Sequence, residues 1–136
     1  MRLTTLSDYA LRLLMMADAA GDDLITIEAA ASRYKISRAH LMKVANVLTR
    51  AGYLVAVRGR SGGLRLARPA GEIRIGDVIR ATEPDFALVE CLGADNHCVI
   101  TQACKLPHIF SEGLGAFINV LNKYSLEDIA LRRRLS

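Results

Sequence analysis

The chain has 136 residues, of which 51% are hydrophobic and 24% charged, and its net charge is +4 at pH 7. This length suits one compact domain plus an oligomerisation element, and the composition is ordinary for a globular protein. The most apolar stretch, residues 10–20, is interrupted by Arg12 and Asp18 and is shorter than the roughly 18 apolar residues of a membrane span. We therefore predict a cytoplasmic protein with no membrane partner and no export signal.

Helical periodicity and capping residues predict three helices in the first fifty residues. Ser7 is a suitable N-cap for the first helix, whose apolar residues recur at helical spacing up to Gly21. Thr26 is placed to cap a second, short helix, and Ser37 to cap a third. Gly52 then stands where a glycine commonly ends a helix.

After Gly52 the pattern changes to that of a β-hairpin. Residues 54–57 and 64–66 carry β-branched or alternating apolar side chains, which is typical of short strands. Residues 58–63 between them comprise two arginines, a serine and three glycines. The sequence therefore predicts a hairpin with a basic, glycine-rich tip.

The rest of the chain alternates helical and irregular segments. A helix is predicted over 75–83, whereas 84–104 shows no clean periodicity and holds every cysteine. A longer helix is predicted over 106–124, where Gly113 and Gly115 would permit close approach of another backbone. We expect this helix to form a dimer seam.

Three short helices followed by a basic hairpin is the element order of a winged helix–turn–helix. The predicted fold class is mainly α with a small β-hairpin, that is, a winged helix–turn–helix plus a long dimerisation helix. The predicted domains are a DNA-binding winged helix–turn–helix at 1–83, a cysteine-rich loop at 84–104, and a dimerisation helix with a C-terminal tail at 105–136.

Positive charge is concentrated in the predicted DNA-binding domain. Residues 1–80 hold thirteen Lys and Arg against seven Asp and Glu, whereas residues 81–136 hold five against seven. Between Glu28 and Glu72 there are nine cations and no acid. A charge run alone is more often a solvated surface, but its coincidence with the capped helices and the hairpin favours a nucleic-acid-binding face.

In such a fold the third helix enters the major groove and the hairpin reaches an adjacent groove. Polar residues at the start of the third helix lie off its apolar face, and the hairpin tip supplies arginines and a close-approaching backbone. The candidate DNA-contacting residues are Ser37, Arg38, His40, Lys43, Arg58, Arg60, Ser61 and Gly62. We expect a homodimer on double-stranded operator DNA, because one module rarely supplies enough contacts.

The three cysteines are Cys91, Cys98 and Cys104. An odd number without an export signal favours reduced thiols, metal ligation or redox chemistry over disulfides, and small buried side chains are the alternative. Their gaps of six and five residues differ from the gaps of about two to four residues in zinc ribbons and knuckles. An iron–sulfur cluster would need a further ligand. Candidates for it are Asp8, His97 and His108.

Several segments resemble the Rrf-type iron–sulfur transcriptional regulators, over nearly the whole chain. The segments that carry the family likeness are Met1–Thr4, Val57–Leu66, Ile75–Val78 and the three-cysteine loop. Within the family, the chain is more similar to the nitric-oxide-sensing repressors than to the cluster-assembly regulators. The segments that favour this branch are Ser7–Tyr9, Ser37–His40, Arg50–Tyr53 and Ile100–Leu106.

The resemblance implies an iron–sulfur cluster held by the three cysteines, with Asp8 of the partner subunit completing a 4Fe–4S site. A 2Fe–2S site is the alternative, but the cluster-assembly regulators use a histidine three residues past the last cysteine. Here that position is Pro107, and His108 comes one residue late. Taken alone, Asp8 is an acid that favours a helix start. The resemblance also implies a repressor that releases its operator when nitric oxide destroys the cluster.

Other functions stay open at this stage. One is an iron- or cluster-status regulator of the same family. Another is a zinc protein in which His108 joins the cysteines, and a third is a thiol-redox protein that uses Cys98 beside His97. No paired carboxylates, nucleophile–base pair or cofactor fingerprint indicates an enzyme.

Overall fold

The computed structural model describes residues 1–131, so the predicted basic tail at 132–134 lies outside the described residues. Within the described range the chain forms five α-helices and one two-stranded antiparallel sheet, in the order α1, α2, α3, β1, β2, α4, α5. The helices are α1 (Thr5–Ala19), α2 (Ile27–Tyr34), α3 (Arg38–Arg50), α4 (Ile75–Thr82) and α5 (Leu106–Leu121), and the strands are β1 (Leu54–Val57) and β2 (Gly63–Leu66). The predicted fold class, mainly α with a small β-hairpin, is confirmed.

The core lies where α1, α3 and α4 pack against one another and against the hairpin. In α1 the inward residues follow the spacing of one helix face, and α3 and α4 contribute similar apolar faces. The largest fully buried apolar side chains are Leu13, Leu14, Leu41, Val44, Leu48, Leu54, Ile73, Val78, Ile79 and Leu126. Burial of each such side chain contributes about 1.5–3 kcal/mol, so this cluster fixes α3 on α1.

Helix α1 begins one turn earlier than predicted, because its N-cap is Thr4 rather than Ser7. The Thr4 side chain accepts a hydrogen bond from the Ser7 backbone N–H. Ser7 is itself buried inside the helix, and its hydroxyl donates to the Glu83 carboxylate at 2.5 Å. The Ser7 prediction was wrong because this partner lies far away in the sequence.

Helix α3 is terminated by the predicted glycine, Gly52. Gly52 has φ +83°, a left-handed conformation that L side chains rarely adopt. Its N–H donates to the Thr49 carbonyl, and the Tyr53 N–H donates to the Leu48 carbonyl. This pair of bonds is a Schellman motif, and it turns the chain from α3 directly into β1.

The predicted hairpin is also confirmed, with Leu54 paired to Leu66 and Val57 to Gly63. A third segment joins it, because Ile25 and Leu64 exchange two backbone hydrogen bonds of 2.7 and 2.9 Å. The wing is therefore tied to the chain between α1 and α2, which the local sequence pattern did not predict.

Helix α5 ends at Leu121, three residues before the predicted end at Tyr124. The reason is a long-range pairing, since the Tyr124 carbonyl accepts from the Ile75 N–H and the Leu126 N–H donates to Ile73. Along α5 itself only Ile118 is fully buried. No helix within the described residues is long and apolar enough to cross a membrane.

Candidate nucleic-acid interface and cysteine loop

The first two turns of α3 present the predicted DNA-contacting side chains. Ser37 caps the helix, because its hydroxyl oxygen accepts the His40 backbone N–H at 3.2 Å. The opposite face is buried through Leu41 and Val44. Arg38 and Lys43 are consequently exposed, while His40 is half-buried.

Arg38 has an ionic partner that the sequence analysis did not identify. One terminal nitrogen of its guanidinium lies 2.9 Å from Oε1 of Glu28, in the first turn of α2. The only sequence signal for this pair is that Glu28 is the last acid before the acid-free stretch. The contact joins the two helices of the helix–turn–helix at their N-terminal ends.

His40 connects α3 to α1. Its ring packs against the Tyr9 ring in a T-shaped arrangement, with the ring centroids 4.8 Å apart. The Arg12 guanidinium lies 5.5 Å from the centroid of the same Tyr9 ring, and the Tyr34 hydroxyl donates to the Arg12 carbonyl at 3.0 Å. A shift of Arg12 or Tyr9 would therefore change the contacts of His40 at the start of α3.

The hairpin tip has a conformation that needs its glycines. Gly59 has φ +108°, and its carbonyl accepts the Gly62 N–H at 3.0 Å. A Cβ at Gly62 would run into the Val57 carbonyl oxygen. This tight turn leaves Arg58, Arg60 and Ser61 exposed, with Gly62 half-buried.

The positive charge between Glu28 and Glu72 is almost entirely unneutralised among the described residues. Of the nine cations between Glu28 and Glu72, Arg38 is the one that forms an ion pair among residues 1–131. Arg68 is turned away, since it donates to the Gly52 carbonyl and stacks over the Tyr53 ring at 4.9 Å. Such an excess of unpaired cations attracts a polyanion.

Asp8 lies on the exposed side of α1 in a bidentate pair with Arg12. The two carboxylate oxygens accept from the Arg12 guanidinium at 3.1 and 2.8 Å. An exposed i,i+4 pair of this kind contributes only about 0.2–0.5 kcal/mol to helix stability. The pair thus holds the Asp8 carboxylate at a defined place, and breaking the pair costs little free energy.

The three cysteines lie in a loop with little regular structure. Cys91 belongs to the short 3-10 helix Glu90–Leu92, Cys98 lies in an irregular segment just before a turn, and Cys104 comes just before α5. All three are free and partly exposed. Two large apolar neighbours are uncovered, since Val99 is 97% and Ile100 58% exposed.

The donor set suits an iron–sulfur cluster, because three accessible thiols in one loop are the ligands that iron in such clusters takes. Within residues 1–131 of a single chain, however, no three His, Cys, Asp or Glu side chains converge on a metal position. Of the other candidate ligands, His97 pairs with Asp95 at 2.8 Å, and His108 is exposed on α5.

The three N-terminal helices, the basic wing and the largely unpaired cations between Glu28 and Glu72 together define a winged-helix DNA-binding regulator. The chain belongs to the Rrf2 family, described as "Iron-dependent Transcriptional regulator", which it matches over residues 3–132. The family predicted from the sequence is confirmed, and since its members are transcriptional regulators the chain is a DNA-binding regulator and not an enzyme.

Individual relatives support the predicted branch of the family. The chain is 44% identical over 135 residues to the HTH-type transcriptional regulator NsrR of Bacillus licheniformis, covering 98% of this chain and 94% of that protein. It is 46% identical over 131 residues to NsrR of Oceanobacillus iheyensis, covering 95% and 89%.

Solved structures show the same fold at greater sequence distance. Staphylococcus aureus CymR superposes with a TM-score of 0.72 at 25% identity, covering 95% of this chain and 98% of that one. IscR of T. potens gives a TM-score of 0.69 at 25% identity, covering 95% and 85%.

Proposed function

We propose that this chain is a cytoplasmic, homodimeric repressor that releases its operator when nitric oxide attacks an iron–sulfur cluster held by the cysteine loop. The observation that carries the proposal is the 44–46% identity to NsrR over nearly the whole chain, joined to three free and partly exposed thiols.

DNA contact is assigned to the start of α3 and to the wing. Arg38 suits bidentate recognition of guanine, whereas Lys43 acts as a point charge on phosphate. The Ser37 oxygen is committed to the helix cap, so its hydroxyl hydrogen is what it offers to a phosphate. Arg58 and Arg60 at the hairpin tip are suited to a narrow minor groove, which the glycines allow them to approach.

The thiolates of Cys91, Cys98 and Cys104 would hold the cluster, with Asp8 of the partner subunit as the remaining ligand of a 4Fe–4S site. The cluster, when bound, supplies iron with which nitric oxide reacts. A 2Fe–2S site is the alternative.

Asp8 provides the link between the ligand set and DNA binding. Its carboxylate fixes the Arg12 guanidinium, which lies over Tyr9, and Tyr9 contacts His40 on α3. A change of partner at Asp8 alters what holds Arg12, and the contacts carry that change to the recognition helix. The protein with the cluster and the protein without it would thus differ in the contacts of Arg12, and such a difference is what any ligand-driven shift between two states requires.

The first test is the visible spectrum of anaerobically purified protein before and after stoichiometric nitric oxide. Binding to a duplex obtained by in vitro selection with this protein is followed in parallel. We expect a brown absorption that bleaches as DNA binding falls, and faster loss of colour in Asp8→Ala than in the control Asp23→Ala. Asp23 is an exposed acid after α1.

A colourless protein after anaerobic reconstitution with iron and sulfide would contradict the cluster assignment but leave DNA binding intact. Zinc bound in its place, or DNA binding that follows thiol oxidation, would then favour a zinc or thiol-redox regulator.

A second candidate is an iron- or cluster-status regulator, which the family description as iron-dependent favours. Comparison of cluster decay under nitric oxide, iron chelation and oxygen separates the two. The proposed sensor loses its cluster fastest under nitric oxide, whereas an iron-status regulator responds at least as strongly to chelation.

A further inference from the structure

The Glu28–Arg38 pair lies on the face assigned to DNA, where a carboxylate is unfavourable. Glu28 is in the first turn of α2, and Arg38 is the first residue of α3. Their side chains are 60% and 66% exposed, and Oε1 of Glu28 lies 2.9 Å from a terminal guanidinium nitrogen of Arg38. An exposed ion pair contributes about 0–1 kcal/mol and an acid in the first turn of a helix about 0.3–1 kcal/mol, so stability gives only a modest reason for an acid at this position.

The pairing is also selective. Residues 29–71 contain no other acid, and among the cations of that stretch only Arg38 is ion-paired in the described part of the chain. Arg38 is also the one arginine at the start of the recognition helix. The carboxylate therefore restrains an arginine at the N-terminal end of α3, from which base edges are contacted in this fold.

A guanidinium has five N–H donors in a planar fork, and Glu28 uses one terminal nitrogen. The donors left over can still meet the two acceptors of a guanine edge, with the side chain held in place by Glu28. To clamp a phosphate instead, Arg38 has to leave Glu28 and bring a bare carboxylate close to the DNA backbone. That second arrangement is penalised by charge repulsion.

We propose that Glu28 is a specificity-determining residue, which holds Arg38 for base recognition and disfavours its use as a non-specific phosphate clamp. The inference rests on the proposed interface. Discrimination between DNA sequences would thus depend on a repulsive element as well as on attractive contacts.

The test compares anaerobically purified wild-type protein with Glu28→Gln. A duplex enriched by in vitro selection with the wild-type protein and a scrambled duplex of equal length are titrated over a range of salt concentrations. For Glu28→Gln we expect affinity for the scrambled duplex to rise about twofold to fivefold, with a smaller gain or a loss on the selected duplex. The salt slope on scrambled DNA should steepen by about one, because one more phosphate is neutralised.

Three further variants make the result specific. Glu112→Gln removes the same charge from the exposed surface of α5, and it should leave the ratio of the two affinities unchanged. Repeating the selection with Arg38→Ala should abolish the preference for guanine at one position of each half-site, and Glu28→Gln should weaken it at the same position. In the Arg38→Ala background, Glu28→Gln should no longer change the affinity ratio.

An unchanged ratio and salt slope in Glu28→Gln, with Arg38→Ala still weakening the selected duplex, would overturn this inference and spare the proposed interface. An effect of Glu28→Gln that persists in the Arg38→Ala background would overturn it as well. If Arg38→Ala binds the selected duplex as tightly as wild type, the interface assignment itself fails.

Discussion

The carboxylate of Glu83 accepts hydrogen bonds from the backbone N–H and the hydroxyl of Thr4 and from the hydroxyl of Ser7. It directly follows α4 and precedes Pro84, where the cysteine loop begins. Glu83 therefore ties the base of that loop to the first turn of α1, which also carries Asp8.

This contact makes a prediction about acid stability. Burial by itself raises the pKa of Glu83, but the hydrogen bonds from Ser7 and Thr4 together outweigh it and hold the pKa below its usual value of 4.5. A depressed folded-state pKa stabilises the fold above the unfolded-state value, and this stabilisation is lost as the pH falls through the folded-state pKa. Glu83→Gln should be less stable than wild type at neutral pH and lose less stability on acidification below about pH 4.5.

Urea unfolding at a series of pH values measures this effect. Glu112→Gln is the matched control, because it removes the same charge from an exposed position on α5. Identical acid dependence in wild type and Glu83→Gln would show that the carboxylate contributes nothing through its charge.

Single residues also show which predictions local sequence supports. The caps at Thr26 and Ser37 were predicted correctly, since a cap bonds within its own turn. Ser7 was assigned wrongly and Glu28 was not paired with Arg38, because their partners lie on other elements. Asp8 and Arg12 have the i,i+4 spacing that could have revealed their pair in advance.

At the scale of elements, the wing depends on a backbone turn that only glycine fits. Gly62→Ala places a Cβ against the Val57 carbonyl oxygen, so the tip must reorganise. We expect about tenfold weaker binding to the selected duplex, because Arg58 and Arg60 are displaced from the groove. The melting temperature should stay close to that of wild type, since the tip is exposed and lies outside the core.

Fluorescence anisotropy titrations beside thermal melts separate these two effects. Ser111→Ala is the control, as it truncates an exposed side chain on α5, outside the candidate DNA-contacting residues. Unaltered affinity in Gly62→Ala would indicate that the hairpin tip does not touch DNA.

The elements that periodicity could predict are those whose signals are local. All five helices and the hairpin carry them, whereas the bridge between Ile25 and Leu64 joins segments about forty residues apart and left no sequence signal. The loop at 84–104 has neither periodicity nor regular backbone pairing, so the sequence could name its cysteines but not their arrangement.

At the scale of the whole molecule, α5 is the least buried helix. Leu106, Ile109, Val120 and Tyr124 on or next to it are each about half exposed. Contiguous exposed apolar side chains on a helix commonly mark a protein interface. We propose that this face is the seam of the homodimer, and that this pairing is the one in which a partner's Asp8 reaches the cysteine loop.

Gly113 allows a direct test of that seam. A Cβ there meets no atom within 4 Å in the single chain, so Gly113→Ala in an isolated subunit should stabilise α5 by roughly 0.5–1 kcal/mol. If a second copy packs its backbone against this glycine, the same methyl group separates the subunits. We then expect the dimer dissociation constant to rise at least about tenfold, with a lower and more concentration-dependent melting temperature.

Sedimentation equilibrium and thermal melts at several protein concentrations distinguish these outcomes. Asn119→Ala is the control, because it replaces a weaker helix former on another exposed face of α5 and should only stabilise the helix. If Gly113→Ala behaves like Asn119→Ala and the dimer is unaffected, the seam does not run over Gly113. A partner's Asp8 then has to reach the cysteine loop through a different pairing of subunits.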